Sequence, residues 1–162
     1  MSLPDFDHPM AITDTDIDAV RLREHLFDHS AGALVTFEGW VRDHNEGRNV
    51  ISLDYEVYRP LAIAEGARII AEVSQRVGVR QVLAVHREGA LELGGCAVWV
   101  GVTSAHRDEA FVACREIIDR IKVELPIWKK EYYTDGDSGW VNCERCASHG
   151  HSHGHDHTHA HR

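Results

Sequence analysis

All three lysines of this 162-residue chain fall in one stretch, K-V-E-L-P-I-W-K-K-E at residues 122–131, as Lys122, Lys129 and Lys130, while fourteen arginines carry the rest of the positive charge. Lysine loses its proton near neutral pH far more readily than arginine and can then act as base, acid or nucleophile. The clustering points to proton transfer or covalent chemistry. The alternative is an arginine-favouring genome that leaves few lysines anywhere. Lys122 falls in the last turn of a helix pattern, where a cation also complements the dipole. Lys129 and Lys130 are neighbours on an extended segment, so their side chains take opposite faces, one toward a pocket and the other toward water.

Other cations stand where local stability does not ask for them. His106 and Arg107 in V-T-S-A-H-R-D-E-A-F fall in the first turn of a helix, where the macrodipole is already positive. There, free backbone N–H groups, an imidazole and a guanidinium can converge on a phosphate or carboxylate. Pairing with Asp108 and Glu109 is the competing explanation. Arg42 is followed by His44 and Arg48 in the polar loop D-H-N-E-G-R-N, a candidate lid or an ordinary solvated hairpin tip.

A third group lies at the C-terminus. Cys143 and Cys146 form a C-E-R-C pair, and His149, His151, His153, His155, His157, His159 and His161 alternate with small or polar residues. Thiolates and imidazoles suit zinc, nickel or copper, so the tail is a candidate metal binder and metal handling is a second functional reading. Opportunistic chelation by a biased composition is its bland counterpart.

The rest of the chain must position these groups. Its length and 43% hydrophobic content suit one core, and the net charge of −9 disfavours nonspecific binding to nucleic acid or anionic lipid. No apolar run is long enough to span a bilayer and the start lacks the layout of a secretory signal, so a soluble, cytoplasmic protein is expected. Cys96, Cys114, Cys143 and Cys146 are too few and too unevenly spaced for a disulfide framework and read as reduced thiols.

Periodicity divides the body into elements. Ala19, Leu22 and Leu26 predict a first helix, with Ile17, Val20 and Phe27 widening its apolar face. Residues 33–42 and 50–58 alternate with period two and predict a β-hairpin with a long, mobile loop. Pro60 opens a second helix ending before Gly78, and strands follow at 79–87 and 96–103 around the turn E-G-A-L-E-L-G-G. Ser104 is a suitable cap for a third helix with apolar positions Ala110, Phe111, Cys114, Ile117, Ile118 and Ile121, which Pro126 stops. A strand around I-W-K-K-E-Y-Y completes the set, with Trp128 and Trp140 as core or rim aromatics. The order predicts an α+β domain over residues 1–147 with a mainly antiparallel sheet and flanking helices. Residues 148–162 offer no apolar face and read as a disordered tail.

Five motifs occur in one order: G-W-V-R-D-H-N-E-G at 39–47, Y-E-V-Y-R-P at 55–60, H-R-E-G at 86–89, V-T-S-A-H-R-D-E-A-F at 102–111 and K-V-E-L-P-I-W-K-K-E at 122–131. In these the chain resembles the large, catalytic subunit of molybdopterin synthase, across roughly residues 33–141. The resemblance implies an α/β-hammerhead fold and a homodimer within a heterotetramer. It also implies a small ubiquitin-like partner whose C-terminal thiocarboxylate supplies sulfur. Two sulfur transfers would convert cyclic pyranopterin monophosphate to the dithiolene of molybdopterin, with no metal or redox cofactor in catalysis. Lys122 and Lys129 match the family's catalytic lysines, the first facing the carrier's thiocarboxylate and the second assisting proton transfer or binding substrate. Arg42, His106 and Arg107 match its anion-binding positions, and Lys130 joins them as a candidate substrate contact. Gathered in one pocket, such cations would lower one another's proton affinity. The family pattern has a basic residue soon after W-V, whereas here Asn142, Cys143 and Glu144 precede Arg145. An inactive, carrier-binding relative is the remaining alternative.

Overall fold

The computed structural model describes residues 3–4 and 6–141, so Cys143, Arg145, Cys146 and the histidine tail lie outside the described residues. In chain order the elements are β1 (Met10–Thr13), α1 (Ala19–His25), β2 (Ala33–Trp40), β3 (His44–Asn45), β4 (Arg48–Val57), α2 (Arg59–Ser74), β5 (Val79–Arg87), β6 (Gly89–Glu92), β7 (Cys96–Ser104), α3 (Arg107–Glu124), β8 (Ile127–Tyr133) and β9 (Ser138–Val141). They build two sheets, one ordered β1-β5-β7-β2 and the other β3-β4-β8-β9 with β6 also on β4. Among the described strands only β1 and β5 run parallel. This is the α+β, mainly antiparallel layout with flanking helices expected of an α/β-hammerhead.

The first sheet is covered on both faces, which is why β7 reads as an almost unbroken apolar run. Val82, Ala84, Val98, Val100 and Val102 face α2 and α3. The alternate positions Leu83, Val85 and Trp99 meet Leu22 and Leu26 from α1. From α3 come Ala110, Ala113, Cys114, Ile117, Ile118 and Ile121, at steps of three and four. Phe111, expected in this row, is one position round the helix and 60% exposed. The broad face expected of α1 is also narrower, because the helix has only seven residues and Val20 and Phe27 point outward.

The expected hairpin of residues 33–42 with 50–58 does not form. β2 pairs with β7 at the edge of the first sheet, and β4 lies inside the second against β8 and β6. Period two identifies a strand but not its partner. A bulge at Gly39/Trp40, together with backbone bonds from Val41 to Gly94 and Gly95, carries the chain from one sheet to the other. Gly39 matters at that bend, since a Cβ there would lie 2.8 Å from Val98 Cγ1.

Beyond the bend the chain makes a tight hairpin in place of a long loop. Asn45 pairs with Arg48, and the two residues between them, Glu46 and Gly47, have φ of 48° and 78°. Positive φ at both central positions is the type I′ signature, whose twist suits paired strands. The Arg48 guanidinium lies 3.6 Å over the Tyr133 ring and bonds Asp135 at 2.9 Å and Asp137 at 3.1 Å, tying this hairpin to the β8–β9 turn.

Ser104 does not cap α3. It ends β7 as a fully buried residue and donates its hydroxyl to the carbonyl of His106, which is the N-cap and makes no side-chain capping bond. Pro126 does limit the helix, which stops at Glu124. Among the described residues no helix is long and apolar enough to cross a membrane.

Candidate active site

The two sheets and the C-terminal half of α3 enclose a cavity of about 520 Å³. Each wall has a local origin. On α3, Ile118, Ile121 and Lys122 share one helical face, so the lysine extends from the same stripe that anchors the helix. In the second sheet, Tyr55 is opposite Lys129 and Leu53 opposite Glu131, so these four residues share the cavity face. The alternate pairs, Asp54 with Lys130 and Glu56 with Trp128, take the other face. Arg42 enters just after the bulged end of β2.

Three cations therefore meet in the cavity: Arg42, Lys122 and Lys129. The carboxylate among them is Glu131, 2% exposed, whose Oε1 is 3.4 Å from Lys129 Nζ and accepts from Asn45 Nδ2 at 3.0 Å. Asn45 Oδ1 in turn accepts from Arg42 Nη2 at 3.1 Å. The lining is net positive in a chain whose net charge is −9, a local field suited to an anion.

Behind the lysines lie two neutral groups. His86 is buried, with its ring edge-on to Tyr55 at 4.9 Å between centroids. Its Nδ1 is 2.7 Å from the carbonyl of Arg87. A carbonyl only accepts, so Nδ1 carries the proton and Nε2 is an acceptor. Burial pushes the imidazole down to about 4, the nearby Lys122 ammonium acts in the same direction, and the bond to Arg87 opposes both. Burial, aided by the charge of Glu131, pushes the Tyr55 phenol up to about 12, so it stays protonated.

The remaining expected residues lie elsewhere. Lys130 is on the opposite face of β8, with Nζ 5.4 Å from the Tyr132 ring centroid and 5.8 Å from that of Trp140. His106 and Arg107 are exposed at the other end of α3, and Arg107 is about 22 Å from Lys122 at 1.5 Å rise per residue. They do not line this cavity. Among the described residues no group of three or more His, Cys, Asp or Glu is placed to hold a metal ion. Cys96 and Cys114 are free, with burial pushing both thiols up to about 11, so neither is an activated thiolate.

Sequence reasoning assigned no site role to Asn45, Tyr55, His86 or Glu131, although all four lie within the five motifs. The signal for Glu131 was available, since it is two residues from Lys129 on one strand and must share its face. Tyr55 and His86 meet through the packing of two sheets, which no local pattern reports.

Comparison with known proteins bears on this geometry. Residues 12–124 match the family described as MoaE protein. The molybdopterin synthase catalytic subunit of Nostoc sp. is 37% identical over 148 residues, 91% of this chain and 90% of that protein. The crystal structure of molybdopterin synthase from Staphylococcus aureus superposes with a TM-score of 0.76 at 36% identity, over 81% of this chain and 95% of the other. A protein–protein complex of subunits 1 and 2 of molybdopterin-converting factor from Helicobacter pylori shares the fold, with a TM-score of 0.70 at 20% identity over 82% and 90% of the respective chains.

The neutral His86 gives the fold a defined acid sensitivity. The unfolded chain takes up this proton near pH 6.5 and the folded chain near 4, so stability is lost as pH falls through that window and is fully present above it. At pH 4 the loss is on the order of 3 kcal/mol. Melting temperature should therefore fall more steeply from pH 6.5 to 4 in the wild type than in His86→Gln. Parallel curves would show that His86 is not held neutral.

Proposed function

Because the chain belongs to the MoaE protein family, we propose that it works as a molybdopterin synthase catalytic subunit and transfers sulfur to cyclic pyranopterin monophosphate. The observation that carries this reading is the meeting of Arg42, Lys122 and Lys129 in one cavity. The sulfur donor is the C-terminal thiocarboxylate of a small ubiquitin-like carrier, whose anionic end suits a cationic pocket. Each transfer leaves a carboxylate on the carrier in place of the thiocarboxylate. An anion thus occupies the pocket before and after the step, and fixed cations serve both states without reorganising.

Within that pocket Lys122 holds the carrier terminus and Lys129 assists proton transfer or binds substrate. Lys129 is the better placed for proton transfer, because the buried Glu131 fixes its ammonium. No metal or redox cofactor enters the proposed reaction. The two-subunit Helicobacter pylori assembly supports a small-subunit partner, and the reaction belongs in the cytoplasm.

His106 and Arg107 acquire a role if a second copy is present. They are exposed and remote from their own cavity, and a homodimer lets them contribute anion binding to the cavity of the neighbouring protomer. Lys130, on the opposite face from the cavity, is left outside this scheme. The histidine tail is a separate divalent-metal binder with zinc or nickel as its candidate ions.

The direct test mixes the full chain with thiocarboxylated carrier and cyclic pyranopterin monophosphate and follows the product by mass spectrometry. A product with two added sulfurs is expected, at the same rate from a chain lacking residues 148–162, while the truncated chain loses its zinc and nickel binding. Carrier binding without sulfur transfer would indicate an inactive relative, and loss of the principal function on truncation would favour metal handling. Sharing of the site makes a second prediction. Lys122→Ala and Arg107→Ala homodimers should each lose at least tenfold in turnover, about what one charged contact contributes. Mixed and allowed to exchange subunits, they should regain activity, because one cavity of each mixed dimer is intact. Failure to complement would place each site within a single subunit.

A further inference from the structure

We infer that Asn45 is a positioning residue of the sulfur-transfer site, an assignment that rests on the synthase reading. Both ends of its amide are used. Oδ1 accepts from Arg42 Nη2 at 3.1 Å, and Nδ2 donates to Glu131 Oε1 at 3.0 Å, the same oxygen that lies 3.4 Å from Lys129 Nζ. A guanidinium only donates and a carboxylate only accepts, so these two partners dictate which way the amide points. An aspartate would set a second negative charge against Glu131, and an apolar residue would bond neither neighbour.

The placement of Asn45 explains what this link does. Arg42 lies two residues beyond β2, on the connector that leaves the first sheet, whereas Lys129 belongs to β8 in the second. The spacing of the two cations thus depends on how the sheets meet, and Asn45 spans that junction. Its own position is fixed by the type I′ turn at Glu46 and Gly47 and by the opposite residue Arg48, which is clamped by Tyr133, Asp135 and Asp137. Without the Nδ2 donor the Glu131 carboxylate can rotate away from Lys129, and without the Oδ1 acceptor the Arg42 guanidinium is released at the mouth. Asn45 therefore contacts neither reacting atom yet sets the geometry of two groups that face them, where a shift of about 1 Å is enough to slow a reaction markedly.

The test compares sulfur transfer by the wild type, Asn45→Ala, Asn45→Asp and the double variant Asn45→Asp/Glu131→Gln, with thermal melts to establish folding. Asn45→Ala and Asn45→Asp should each lower kcat about tenfold, the scale of one hydrogen bond to a charged group. The double variant exchanges donor and acceptor while keeping the net charge and removes the carboxylate–carboxylate clash, so it should be faster than Asn45→Asp, yet stay below the wild type because Lys129 loses its ionic partner. Wild-type kcat in Asn45→Ala would overturn the assignment, as would a double variant no faster than Asn45→Asp when both are folded. If Asn45→Ala does not fold, the comparison between Asn45→Asp and the double variant decides alone. A wild type that moves no sulfur would overturn the synthase reading and this assignment together, whereas an active wild type with an equally active Asn45→Ala overturns this one only.

Discussion

The register of β8 against β4 is the constraint on which the candidate site depends. Tyr55 opposite Lys129 and Leu53 opposite Glu131 put a cation, its carboxylate and a neutral phenol on the cavity face. A slip of one residue would turn Trp128, Lys130 and Tyr132 inward and send Lys129 and Glu131 to the other side. What prevents the slip is the burial of Leu53 and Tyr133 with Val41, Val50, Leu91 and Ala97 in a small core beneath the second sheet. The same apolar contacts that stabilise the sheet thus decide which lysine faces the pocket.

Electrostatics then selects what the cavity can hold. Glu131 is almost fully buried, with Lys129 and the Asn45 amide both meeting its Oε1 while Oε2 is buried without a hydrogen-bond partner. Removing either partner from a buried charge of this kind is costly, so the arrangement is rigid as well as polar. Lys122 comes from a different element, α3, and reaches the cavity because Ile118 and Ile121 dock its helical turn there. His86 and Tyr55 remain neutral behind it, so the positive charge is left for an incoming anion. A pocket with three cations in a chain of net charge −9 attracts anions locally.

Much of this was legible in the sequence, because the relevant signals are local. The steps of three and four from Ala110 to Ile121 gave α3 and its buried stripe, and the adjacency of Lys129 and Lys130 on a strand implied opposite faces. Strand partners were not legible. Residues 33–42 and 50–58 alternate like a hairpin, yet the bulge at Gly39 and Trp40 sends them to different sheets. β1 is four residues long and fully buried against β5 and α2, too short for its pattern to stand out from the polar flanks. The remoteness of His106 and Arg107 from Lys122 was implicit in the length of α3, but the family resemblance grouped them with the lysines in one pocket. Helix geometry separates them within one chain.

The central claim is that strand alternation makes Lys129 a pocket residue and Lys130 a surface residue. Turnover of cyclic pyranopterin monophosphate by Lys129→Ala and Lys130→Ala, compared side by side under saturating carrier, tests it most directly. Lys129→Ala should lose about a hundredfold or more in kcat, the scale of one positioned proton-transfer group, and Lys130→Ala should stay within about threefold of wild type. Equal losses in the two variants, or a larger loss in Lys130→Ala, would contradict it.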